Sequence, residues 1–81
     1  MTAIRNEIVE IIRQASKPRE PDLSDENKPL LDAGLDSLDY ASVLIAVEEK
    51  YRLKIVEEDM ENLGSLKDII IFVEARVGQS S

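Results

Sequence analysis

The chain has 81 residues, with 17 acidic and 10 basic side chains, a formal net charge of -7, 43% hydrophobic residues, and neither cysteine nor histidine. Such a composition describes one small domain with no disulfide framework, thiol nucleophile, Cys/His metal site or histidine-activated serine, leaving hydroxyls, carboxylates and amines for any chemistry. The acidic balance disfavours nucleic acid and anionic lipid and favours a partner with a basic face, while two Tyr, one Phe and no Trp provide no stacking platform for bases.

The longest unbroken apolar runs, Val43 to Val47 and Ile69 to Val73, are five residues each, against about 20 for a membrane-spanning helix. The start, Met1 to Glu7, lacks the apolar stretch of a signal peptide and the glycine of a myristoylation site. A cytoplasmic, monomeric protein without membrane insertion is the expectation. A domain of this size buries only about 60 to 65% of its unfolded surface, which argues against a deep enzyme pocket. Of 35 apolar residues, 24 are Ile, Leu or Val, so the core should be aliphatic and deformable.

In chain order, Ile4, Ile8, Ile11, Ile12 and Ala15 recur at helical spacing, with Arg5, Glu7, Glu10 and Arg13 on the other faces. They predict a first amphipathic helix over Ala3 to Ala15. Pro18 and Pro21 end it. A long polar connection follows to about Gly34, and its Leu23, Leu30, Leu31 and Leu35 should pack across the helices. Connections this long in a small domain are often functional.

A second helix should begin at Asp36 or Ser37, after the Gly34 turn, and run to about Tyr51. Tyr40, Val43, Leu44, Val47 and Tyr51 form its core stripe; Leu38, Ala41 and Ile45 form a second row bordered by Asp39, Ser42, Glu48 and Glu49. Periodicity leaves two readings of that row: an exposed contact surface, or a central helix buried on both sides. A short helix over Glu57 to Asn62 should point Val56, Met60 and Leu63 inward, and Gly64 should end it. Ser65-Leu66-Lys67-Asp68 fits a capping box. The last helix follows through Val77, with Leu66, Ile69, Ile70, Val73 and Val77 inward, and residues 78–81 should fray. The fold class expected is all-α: a four-helix bundle with a short third helix and a long loop between the first two.

Residues 36–61 hold eight acids and three bases, so the second and third helices carry the field. A charge run is ordinarily a solvated face; here it coincides with the second apolar row. A calcium loop counted from Asp32 would put Gly34, Asp36, Ser37 and Val43 at its third, fifth, sixth and twelfth positions, and the pattern fails. Glu57-Glu58-Asp59 diverge around a helix and make no cage, so no metal site is expected. Ser37 remains. Helix capping is the ordinary role for a serine there, yet the same helix N-terminus suits a phosphodiester, whose charge meets unpaired backbone N–H groups and the positive end of the dipole.

Leu31-Asp32-Ala33-Gly34-Leu35-Asp36-Ser37-Leu38-Asp39, with the Glu48-Glu49 pair eleven and twelve residues beyond the serine and Tyr51 two further on, resembles the acyl carrier proteins. The resemblance spans nearly the whole chain, from the first helix to about Val77. It implies a carrier and no enzyme: Ser37 receives 4'-phosphopantetheine from coenzyme A through a phosphopantetheinyl transferase, and Asp36 assists loading. Acyl or aminoacyl groups then ride as thioesters to partner enzymes, from a loading ligase onward, whose basic faces meet Leu38, Asp39, Ala41, Ile45, Glu48 and Glu49. It also favours the contact-surface reading of the second row.

Bacterial fatty-acid carriers usually have acids where this chain has Ser42 and Lys50. The expectation is therefore a free-standing, specialised carrier, of fatty-acid, polyketide or aminoacyl type, in place of the housekeeping one. The alternative is a small acidic helical interaction module without a prosthetic group, in which Ser37 is only a cap. A hydrolase has the lone Ser37 in its favour and no base to activate it.

Overall fold

The computed structural model describes residues 3–79. Among the described residues five helices occur in chain order: α1 (Ala3–Ser16), α2 (Leu30–Ala33), α3 (Ser37–Tyr51), α4 (Glu57–Met60) and α5 (Leu66–Gln79). The four helices expected from periodicity are α1, α3, the short α4 and α5, and the structure is all-helical apart from an isolated bridge between Pro29 and Ser65. The single turn α2, inside the long connection, is additional.

α1 packs against both α3 and α5. Ile8 and Ile12 of α1, Val43, Leu44 and Val47 of α3, and Leu66, Ile69 and Val73 of α5 form the core, joined by Leu30, Leu35, Ile55 and Leu63 from the connections. Fully burying one such side chain contributes about 1.5–3 kcal/mol, so these stripes align the helices. Polar bonds then fix them at their ends. The Tyr51 hydroxyl donates to Glu7 Oε1 at 2.6 Å, tying α3 to α1. The Tyr40 hydroxyl donates to the Leu63 carbonyl at 2.8 Å, tying α3 to the α4–α5 connection. At the start of α5, Ser65 Oγ accepts from the Asp68 N–H at 3.2 Å, the serine half of the expected capping box.

The connection between α1 and α3 lies against the bundle. Leu30 and Leu35 are buried and Leu23 is half-buried, but Leu31 points outward. Its backbone is paired: the Asp22 N–H donates to the Ala33 carbonyl (2.9 Å), Leu30 to Gly64 (2.8 Å), and Lys67 to Glu26 (3.0 Å). Arg5 of α1 forms an ion pair with Glu26, and Lys28 approaches Asp22 at 4.0 Å.

Besides Leu31, three inward assignments are corrected. Val56 and Met60 are 44% and 42% exposed, because α4 is a single turn that buries none of its own residues; the flanking Ile55 and Leu63 anchor it instead. Val77 lies one turn beyond Val73, past the last buried residue of α5, and is exposed. α5 continues through Gly78 and Gln79; the rest of the expected frayed tail, residues 80 and 81, lies outside the described residues. Among the described residues no helix is long and apolar enough to cross a membrane.

Candidate functional site at the start of the α3 helix

Gly34 ends α2 with φ +122° and its N–H bonded to the Leu30 carbonyl. Side chains rarely tolerate that backbone angle, so glycine is required for the chain to reverse there. Buried Leu35 then pins the strand of chain entering α3.

Asp36 caps α3: its backbone is extended and Oδ1 accepts from the Asp39 N–H at 2.9 Å, while its carbonyl accepts from Tyr40. The Asp39 N–H bond holds the Asp36 carboxyl below the usual carboxylate range; slight desolvation opposes this, and Arg19 adds to it. Because Asp36 supplies the cap, Ser37 does not. Ser37 is the first helical residue, exposed, and its hydroxyl has no hydrogen bond among the described residues. A free hydroxyl at the positive end of a 15-residue helix is placed for phosphorylation-type chemistry, since an attached phosphodiester would face the helix dipole. The residues present fit that group.

The second apolar row faces solvent. Leu38 is 78% and Ile45 54% exposed, with Ala41 between them also exposed, so burial on both sides is ruled out for α3. The acids expected beside the row behave differently from one another. Glu49 projects outward. Glu48 turns back, its Oε2 accepting from the Ile55 N–H at 2.7 Å, and so holds the α3–α4 connection. Asp39 is half-buried and paired with Arg19, whose guanidinium also lies 3.3 Å from Asp36 Oδ2.

Arg19 was not among the residues singled out from sequence. It lies 17 residues before Asp36 in a proline-flanked loop, outside any helical period, and only its charge could have suggested a match. It also lines an open groove of about 680 Å³ with Arg13, Lys17, Pro18, Glu20 and Pro21. A second open groove, about 580 Å³ and mostly apolar, runs between α1 and α3 past Ile11, Ala15, Ser42, Ala46 and Lys50. Among the described residues no group of three carboxylates could hold a metal ion.

Comparison with known proteins aligns residues 4–73 with the family model described as phosphopantetheine attachment site. The acyl carrier protein of Wolinella succinogenes is 29% identical over 72 residues, covering 89% of this chain and 95% of that one. Those of Campylobacter hominis and Campylobacter concisus are each 37% identical over 49 residues, 60% of this chain and 62% and 64% of theirs. No solved structure matches the chain.

Proposed function

Because the chain belongs to the phosphopantetheine-attachment family of acyl carrier proteins, a family of carriers rather than catalysts with covalent 4'-phosphopantetheine as cofactor, we propose that Ser37 is its attachment residue. The observation that carries this is the exposed, unbonded Ser37 hydroxyl at the N-terminus of α3, with the capping duty discharged by Asp36. In loading, Ser37 Oγ forms the new phosphodiester bond, the pyrophosphate linkage of coenzyme A breaks, the adenosine bisphosphate half departs, and the serine proton passes to a base on the transferase. The bound group supplies a terminal thiol on which acyl or aminoacyl cargo is held as a thioester.

Asp36 assists loading by presenting a carboxylate beside Ser37 to the metal and coenzyme held by the transferase. Leu38, Ala41 and Ile45 form the apolar centre of the docking face for the transferase, the loading ligase and the downstream enzymes, and Glu49 is its outward acid. Asp39 and Glu48 belong to the same face but are engaged within the protein. The carrier is specialised rather than housekeeping: exposed Ser42 and Lys50 stand where acids are usual, and Arg19 offsets the charge of Asp39, so long-range attraction to a basic synthase is weakened. Rim charges of this kind tune association rate and partner choice more than affinity.

Intact mass before and after incubation with coenzyme A, magnesium and a broad-specificity phosphopantetheinyl transferase tests the assignment. The expected result is a gain of one phosphopantetheinyl unit in the wild type and none in Ser37→Ala. No gain in the folded wild type with more than one transferase, or a gain in Ser37→Ala, would overturn it.

A further inference from the structure

We propose that Arg19 is a specificity-determining residue of the docking face: its guanidinium bridges the Asp36 and Asp39 carboxylates in the free carrier, so a partner's cation must displace it before engaging Asp39 and must compete with it for the half-exposed Asp36. This inference rests on the carrier reading above and adds a built-in competitor at the end of the face nearest Ser37.

Three observations support it. Arg19 contacts both carboxylates at once, Asp36 at 3.3 Å and Asp39 more closely. The Asp39 side chain is only 14% exposed, so an incoming lysine or arginine has little access to it while Arg19 is in place. Finally, the groove that Arg19 also lines holds Arg13 and Lys17, with Glu20 its single acid. Like charges among its groove neighbours and the two carboxylates of α3 both favour its place against α3.

The Arg19 side chain is itself half exposed, so the pair is open to competition by salt and by an incoming cation. That suits a gate that yields to the right partner. A partner that recognises charge alone gains little by exchanging its cation for Arg19. A partner that also covers Leu38, Ala41 and Ile45 gains apolar contact while the exchange occurs. Arg19 thereby shifts selection from the acids to the apolar row.

The test uses the full chain as wild type, Arg19→Gln and Arg19→Lys, charged by one transferase at low and high ionic strength. Arg19→Gln should lower KM about threefold to tenfold, with a smaller change in kcat, and the difference should shrink in high salt. Arg19→Lys should stay near the wild type. An independent measurement is calorimetric binding of an oligoarginine peptide, which should tighten by a similar factor in Arg19→Gln whether or not Ser37 can be charged. An unchanged or raised KM, a loss confined to kcat, or equal peptide affinity in all three proteins would overturn the proposal. Failure of the wild type to gain mass would instead count against the assignment of Ser37, and the peptide titration would still decide the role of Arg19.

Discussion

Replacing Ser37 by alanine separates a serine that holds the helix from a serine that is merely held by it. Had the hydroxyl capped α3, its loss would cost about 0.5–2 kcal/mol. In the structure Asp36 makes that bond and the Ser37 hydroxyl makes none among the described residues, so no hydrogen bond disappears. The residue is in the first turn of the helix, where alanine is the better helix former by up to about 0.5 kcal/mol. We therefore expect Ser37→Ala to leave stability within about 0.5 kcal/mol of the wild type. For a domain this size, that places its thermal midpoint within about 2–4 °C. The assay is urea and thermal unfolding of the unloaded chain by circular dichroism, with Asp36→Ala alongside. Asp36→Ala should lower the midpoint clearly, because it leaves the Asp39 N–H without its acceptor. A loss above about 1 kcal/mol in Ser37→Ala, or a greater loss there than in Asp36→Ala, would refute the assignment of the cap.

Tyr40→Phe removes the 2.8 Å bond to the Leu63 carbonyl and should cost about 0.5–1.5 kcal/mol; an unchanged urea midpoint would show that this bond does not hold the α4–α5 connection. Ile12→Ala empties a fully buried site where α1 meets the core and should cost about 2–5 kcal/mol, most of the stability of so small a domain, which a lost cooperative unfolding transition at 25 °C would report. At alkaline pH, Tyr40 and Tyr51 are both raised above their ordinary 10.0, mainly by burial, with the charges of Asp68 and Glu7 adding respectively. The folded state then holds protons that the unfolded state has released. Their contribution is complete below about pH 10 and lost as pH rises through the folded values, so the urea midpoint should fall across that range, less steeply in Tyr51→Phe. Tyrosine absorbance titrating at its ordinary position with no change in midpoint would contradict this.

The helices that carry two or more turns of core contact were legible in the sequence, since three- and four-residue spacing determines which face of α1, α3 and α5 is apolar. The place of Ser37 at the start of α3 was legible too, through its glycine turn and its neighbours, although the cap is supplied by Asp36. What spacing could not show is structure made by distant partners. α2 is a single turn whose first N–H is satisfied by Gly64, more than thirty residues away, and nothing in Leu30-Leu31-Asp32-Ala33 announces that bond. Val56 and Met60 obeyed the pattern of a buried stripe, but a one-turn helix has too little length to turn both toward the core. Tyr40 and Tyr51 were readable as apolar bodies, whereas the use of their hydroxyls depended on which backbone carbonyl or carboxylate the fold brought near. Glu48 and Glu49 are adjacent acids in the sequence, yet one bonds a backbone N–H across the α3–α4 connection and the other faces solvent.

The pairing of the long connection with the start of α5 bears on how delivery works. Leu30 and Lys67 exchange backbone bonds with Gly64 and Glu26 across that seam, and Arg5 secures Glu26 from α1. The turn that presents Ser37 is therefore mounted on the bundle rather than slung between two helices. With the proposed attachment at Ser37, the fold then supplies the surface that is recognised, and the reach from one enzyme to the next is left to the rotatable bonds of the attached arm. Recognition and reach thus belong to different chemical parts of the loaded molecule, and a change in one need not disturb the other.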